Sequence, residues 1–394
     1  MTVPACPAAI RDATSSAGAT PAGDTPDFLI SGPRHSLALG PARRHLPPGP
    51  LASLPARSEA FFAAGHDGPQ LLAGAVPYDR EAADCLYQPG SVLDMPVAPV
   101  ALAAPQAVMR IRAEPAPRQY REAVAAAVRR IAEGEFSKIV LSRSLVLTSE
   151  RPHDPDLLLQ MLRQDGLATL FSVPLPPRQA GVPHRLIGAT PELLVEKRGR
   201  LVASHPLAGS ARRAADPPQD RAAGEALLRS DKDLREHAMA AEMVLDTLAP
   251  FCAQLAAPEG VSLSATARMW HLGTRIEGVL RDASTPCATL LAALHPTPAV
   301  CGLPRAAADA ALPGLEGYAR GFYAGAVGWL EAGGDGCWYL ALRCAGIEGR
   351  EARLYAGAGI VRGSDPEAEE AETHAKFLAM LAAFGQDGEI IIGD

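Results

Sequence analysis

The 394-residue chain has seven cysteines and no CxxC pair. They are Cys6, Cys85, Cys252, Cys287, Cys301, Cys337 and Cys344. An odd, widely spaced set argues against a disulfide framework and a structural zinc site, and it predicts a reducing, cytoplasmic setting. A basic block is also missing. Lys+Arg number 37 against 44 Asp+Glu, a formal net charge of -7, so neither nucleic acid nor an anionic membrane surface is expected as a partner. No apolar run approaches the ~20 residues that span a bilayer. The opening MTVPACPAAIRDATSSAGAT lacks a basic start followed by an apolar stretch, which predicts no secretory signal. There is no internal repeat, no Ser-His-Asp spacing and no HExxH. AGAG (356–359) lacks the GxGxxG spacing and does not open a helix, so a dinucleotide fold is unsupported.

What remains suits a folded protein with a sizeable core: 48% hydrophobic and 21% charged residues. Ten of the 36 prolines fall within the first 58 residues. That predicts irregular structure or short edge strands there, with a disordered tail over about 1–24. QLLAGAVPYD from 70 reads as a short buried strand. RQYREAVAAAVRRIAEG (118–134) predicts an amphipathic helix, with Val124, Val128 and Ile131 on one face and Gly134 at its stop. KIVLSRSLVL (138–147) predicts a strand. The stretch 185–204 reads as two strands around KRGR. A long helix is predicted over 220–254, a strand meander with GGDG and EGRE turns over 321–361, and a last helix over 366–384. Strand runs followed by helices point to α+β rather than a βαβ alternation.

Several residues could carry chemistry. Glu369, Glu372 and Lys376 lie at i, i+3 and i+7, on one face of the last helix. With Glu236 of the long helix, the two carboxylates could form a hard-cation site of the kind Mg²⁺ takes; spacing alone also allows a solvated acidic face beside Glu367 and Glu370. Lys138 opens its strand, either as an exposed edge lysine or as a base withdrawn into a cleft. Glu192, in GATPELLV, is either a strand-end carboxylate or an acid kept protonated by apolar neighbours. HPLAGS (205–210) and YAGAGI (355–360) are small-residue segments that let a backbone approach a ligand, or simply turn tightly. His271, in WHLGT, reads as a ligand contact or as a core histidine. Arg343, in LALRCA, reads as lying within an apolar strand, where it needs a carboxylate partner or an anionic ligand.

Taken in order, ten segments resemble the chorismate-utilising enzymes, and among them the isochorismate synthases that feed catechol siderophore pathways. They include GAVPYDREAADCLYQPG (74–90), EGEFSKIVLSRSL, IGATPELLV, SHPLAGSARR, SDKDLREHAMAAEMV and WHLGTRIEG. LHPTPAVCGLPR, YAGAVGWL, LALRCA and LYAGAGIVRGSDPEAEEAETHAKFLAML complete the series. The resemblance covers about residues 70–384.

The resemblance implies one large α+β domain, with packed, mainly antiparallel sheets inside and helices outside. It would run over 25–394, as a variable part (25–110) and a catalytic core (111–390). It implies chorismate as substrate and Mg²⁺ held by Glu236, Glu369 and Glu372. Lys138 would be the base that activates water and Glu192 the acid that protonates the departing hydroxyl. Ser210, His271, Ala299, Arg343, Gly357, Ala358, Gly359 and Lys376 would bracket the substrate. HPTPA, ending in Ala299, looks like the isomerase branch. A salicylate synthase, which goes on to eliminate pyruvate, and a menaquinone-pathway synthase are the alternatives. A monomer is expected.

Overall fold

The structure is a computed structural model that describes residues 26–95, 108–163 and 166–386. The tail expected over 1–24 lies outside these residues. Two large antiparallel sheets and one small one form the body of the protein. The first sheet has ten strands. At its centre, Lys138–Ser149 pairs with Glu351–Val361, which continues through Cys344–Glu348, His184–Thr190 and Thr169–Leu175 to Phe28–Ser31. The second has nine strands, with Leu193–Arg198, Gly336–Leu340, Ala326–Glu331 and Leu71–Val76 side by side. The third joins Leu207–Arg212, Met269–Thr274 and Val261–Ala265.

One apolar cluster draws on both large sheets, including Phe171, Val173 and Leu186 from the first and Leu72, Val195 and Trp338 from the second. A second cluster lies beneath two helices. It sets Leu145, Leu147 and Leu354 against Leu158 and Leu162 of the helix Pro155–Leu162 and against Phe377, Met380 and Leu381 of the helix Pro366–Ala383. Each fully buried side chain of this size contributes roughly 1.5–3 kcal/mol. The helix expected at 118–134 spans Pro117–Ala132 and buries Tyr120, Val124, Ala127 and Ile131 at three- and four-residue spacing. Proline stands in its first turn, where a missing N–H costs no helical bond.

Four expectations need correction. The Pro-rich N-terminal region is not confined to irregular structure and edges. Phe28–Ser31 is flanked on both sides by strands, and Leu54–Ala63 is a helix with Pro55 in its first turn. The single strand expected before KRGR is two, because the chain breaks at Pro191 and Glu192 and passes from the first sheet to the second. Proline cannot donate to a ladder, so a strand yields there. The single helix expected over 220–254 is also two, Pro217–Leu228 and Asp231–Leu248, followed by the strand Cys252–Ala256. Ser230 is the N-cap of the second helix; its hydroxyl accepts from the Asp233 N–H at 3.3 Å. Finally, Arg343 is not inside a strand. It sits between Gly336–Leu340 and Cys344–Glu348, where the chain crosses back to the first sheet, and it has φ 48°.

Candidate active site

The two crossings lie side by side. Leu340 donates its backbone N–H to the Glu192 carbonyl at 3.1 Å, and Ala189 donates to the Arg343 carbonyl at 3.0 Å. A left-handed non-glycine residue such as Arg343 costs on the order of 1–3 kcal/mol; here the bond from Ala189 of the first sheet holds its carbonyl.

Beside the junction opens a cleft of about 730 Å³, counted out to its mouth. Ten of the thirteen site residues expected from sequence line it: Glu192, Ser210, Glu236, His271, Ala299, Arg343, Gly357, Gly359, Glu372 and Lys376. Lys138, Ala358 and Glu369 do not. Ala358 alternates with Gly357 and Gly359 along one strand, so its side chain points to the other face of the sheet. Lys138 is fully buried and meets Glu236, Nζ to Oε1, at 3.1 Å. Glu369 is also buried, at 1% exposure.

Glu192 is buried with its Oε1 accepting the Leu207 N–H at 3.2 Å. Burial pushes its carboxyl up to about 8, and the Leu207 bond, Lys138, Arg343 and Lys376 only partly oppose that rise. This is a carboxylic acid that keeps its proton at neutral pH. His271 is the converse. Burial, then Arg343 and Lys376, hold the imidazole well below its ordinary range. Arg343 Nη2 lies 3.2 Å from His271 Nε2, which must therefore be the acceptor of that contact.

The glycines of 355–360 admit close neighbours. A Cβ on Gly359 would lie 2.0 Å from Glu236 Oε1, and one on Gly357 would lie 3.0 Å from the Tyr323 hydroxyl. The Gly357 carbonyl accepts from Lys376 Nζ at 2.8 Å.

Three carboxylates come with three lysines. Glu236 has Lys138; Glu372 has Lys376 at 2.7 Å and the Ser210 hydroxyl at 3.0 Å; Glu369 has Lys232 at 2.6 Å. Burial alone would raise Glu372, but Lys376 and Ser210 outweigh it and hold the carboxyl below the usual range. Glu369 is raised by burial and by the neighbouring Glu372. The three acids share a neighbourhood, since the Lys232 ammonium is drawn by Glu369, then Glu372, then Glu236, against the cost of its burial. Among the described residues no three His, Cys, Asp or Glu side chains converge closely enough, as they stand, to hold a metal ion. The donor chemistry nevertheless suits a hard divalent cation: all three groups are carboxylates, and Glu369 Oε2 is buried without a hydrogen-bond partner.

Sequence reading did not single out Lys232, Tyr323 or Tyr355. The two tyrosine rings stack at 4.8 Å and 6° and line the cleft. Tyrosines within runs of small residues read as core, and Lys232 lies in SDKD, a charged stretch within the long helix expected over 220–254.

A family model described as chorismate binding enzyme matches residues 92–385. The chain belongs to that family. It is 48% identical to isochorismate synthase DhbC of Bacillus subtilis over 279 residues, 70% of each chain. To isochorismate synthase EntC of Escherichia coli K12 it is 36% identical over 323 residues, 80% of this chain and 81% of that one. Among solved structures it superposes on DhbC of Bacillus anthracis, assigned as a 2,3-dihydroxybenzoate-specific isochorismate synthase. There the TM-score is 0.86 at 36% identity, over 92% of this chain and 96% of the other. No helix among the described residues is long and apolar enough to cross a membrane.

Proposed function

We propose that this family member is an isochorismate synthase, an isomerase that adds water at C2 of chorismate and expels the C4 hydroxyl. The observation that carries the reading is Glu192: a buried carboxyl that stays protonated beside two cationic side chains, Arg343 and Lys376. A dianion needs those cations, and a poor leaving group needs a proton donor. Similarity to DhbC and EntC supports the same reaction.

In this reading Lys138 accepts the proton of the attacking water and Glu192 gives its own to the departing hydroxyl. Each such transfer is typically worth ~10²–10⁴ in rate. Arg343 and Lys376 bind carboxylates of the substrate. Neutral His271 fixes the Arg343 fork, while Ser210 and the Gly357 carbonyl fix Glu372 and Lys376. Glu236, Glu369 and Glu372 would hold Mg²⁺, which when bound supplies a hard positive charge for a substrate carboxylate. Lys138 rises from the strand Lys138–Ser149 of the first sheet and Glu192 from the crossing into the second, so separate elements set the two proton-transfer groups. The product keeps the oxidation level of the substrate, so no redox cofactor enters.

The DhbC likeness favours a siderophore-type route through 2,3-dihydroxybenzoate over menaquinone supply. The six described cysteines, all free, suit a reducing cytoplasm. The decisive experiment incubates the protein with chorismate, in Mg²⁺ and in EDTA, and identifies the products. Isochorismate in Mg²⁺ alone is the expected result. Salicylate with pyruvate would make the chain a lyase, and unchanged chorismate in both would end the proposal.

A further inference from the structure

Each of the three acids has its own lysine partner, but the three lysines are not equivalent. Lys138 is fully buried beneath the cleft. Lys376 is 15% exposed and is tied to the Gly357 carbonyl as well as to Glu372. Lys232 is 36% exposed at its side chain and stands in the first turn of the helix Asp231–Leu248, with a path to solvent. Its hydrogen bond runs to Glu369 Oε1, while Oε2 of the same carboxylate is buried and unpartnered. The three acids do not converge as they stand, and Lys232 is the cation drawn toward all of them. Two positive charges within a few ångströms of one carboxylate repel strongly in a partly buried site.

We infer that Lys232 is a displaceable internal counter-ion: it holds Glu369 while the acids lack a divalent cation, and it swings out to solvent when one enters. This rests on the reading of Glu236, Glu369 and Glu372 as the Mg²⁺ donors and adds a residue that sets the exchange. A carboxylate pair left bare at the cleft would repel and open its helix; an ammonium on a flexible stem keeps the group closed and leaves without breaking the fold. The arrangement makes cation binding an exchange, Mg²⁺ in and one lysine out, so affinity is lower than the three donors alone would give.

Lysine footprinting tests this on the intact chain. The protein is labelled briefly with an amine-acetylating reagent at fixed pH, with Mg²⁺ or with EDTA and without substrate, and acetylation at each lysine is read by mass spectrometry. Labelling of Lys232 should rise severalfold in Mg²⁺, while fully buried Lys138 stays protected in both. Mg²⁺ affinity is measured in parallel by calorimetry on Lys232→Met and Lys232→Gln, each checked for a native circular dichroism spectrum. Both variants should bind Mg²⁺ about tenfold more tightly or better, the scale of one charge-assisted hydrogen bond. If Mg²⁺ binds the wild type and Lys232 labelling stays level or falls, the exchange is overturned while the metal reading stands. Equal or weaker binding by both variants overturns it too. If Mg²⁺ binds neither wild type nor variants, the metal reading falls and the exchange with it.

Discussion

Glu192 and Arg343 stand at the two neighbouring points where the chain leaves one large sheet for the other, and backbone hydrogen bonds of 3.1 and 3.0 Å tie those points to their opposite crossing strands. A strand end inside a sheet spends its polar groups on the ladder. A crossing between sheets frees side chains to face the gap, and both residues line the cleft there. The proposed proton donor and a cation for the substrate are thus fixed by the fold rather than by a mobile loop.

The pH dependence should report Glu192. Its carboxyl is pushed up to about 8 by burial, so the protonated donor prevails at neutral pH. Turnover should fall as pH rises through about 8, and Glu192→Gln should cost ~10²–10⁴ in kcat. Stability follows the same sign. A carboxyl raised on folding binds more protons in the native state than in the unfolded one between its ordinary range and about 8. Its contribution is full below that ordinary range and is lost as pH climbs through about 8. Thermal melts of wild type and Glu192→Gln across pH 6–9 check this: the wild type should lose the larger share of stability on the alkaline side.

Lys138 and Glu236 form the most deeply buried pair at the cleft. Removing one partner of such a pair leaves a charge without compensation and costs about 3–5 kcal/mol. Lys138→Met should therefore lower stability by that order and abolish turnover. The double change Lys138→Met with Glu236→Gln should recover much of the stability and none of the activity. Urea unfolding of the three proteins measures the difference, and a double variant no more stable than the single one would show that the pair is not coupled.

Much of the fold could be read from periodicity. The helix at 118–134, the strand from 138, the meander over 321–361 and the last helix all form close to where hydrophobic spacing placed them. The breaks were harder to see. Pro191 and Ser230 are single residues inside apolar or helical patterns; the first follows the end of a strand and the second caps the start of a new helix, each through backbone hydrogen bonding and not through a change in hydrophobicity. Arg343 was misplaced for a related reason: an apolar run continues through Leu342 and Cys344, so nothing in the sequence marks a left-handed residue between two sheets. For the site, residue types and order along the chain nominated thirteen positions, and ten line the cleft. The lysine partner of each acid was out of reach, because pairing depends on distances between remote elements.

Gly359 offers a test of close approach. A Cβ there would overlap Glu236 Oε1 at 2.0 Å, with Lys138 Cε a further neighbour at 3.2 Å. Gly359→Ala must push Glu236 aside, so Mg²⁺-supported turnover should drop by about two orders of magnitude, the scale of losing one positioned group. The strand is extended at this position, so backbone strain plays no part. At Gly349, in a turn with φ 58°, the same change should cost stability, by on the order of 1 kcal/mol, and leave kcat alone. Parallel kinetics and melts separate the two substitutions.

Ser230 gives a subtler lever, because the helix it caps carries both Lys232 and Glu236. Losing a serine cap costs typically about 1 kcal/mol. Ser230→Ala removes the acceptor for the Asp233 N–H and frays the first turn, where Lys232 sits, while Glu236 lies a turn further in. The fraying should loosen the hold of Lys232 on Glu369 before it disturbs Glu236. The expected outcome is a stability loss of about 1 kcal/mol in EDTA that shrinks in saturating Mg²⁺, since a variant whose Lys232 is already loosened binds the cation more tightly and so gains more stability from it by mass action than the wild type does. Denaturant melts with and without Mg²⁺ measure the gap. An equal loss in both conditions would mean that the first turn is no part of the cation-linked region.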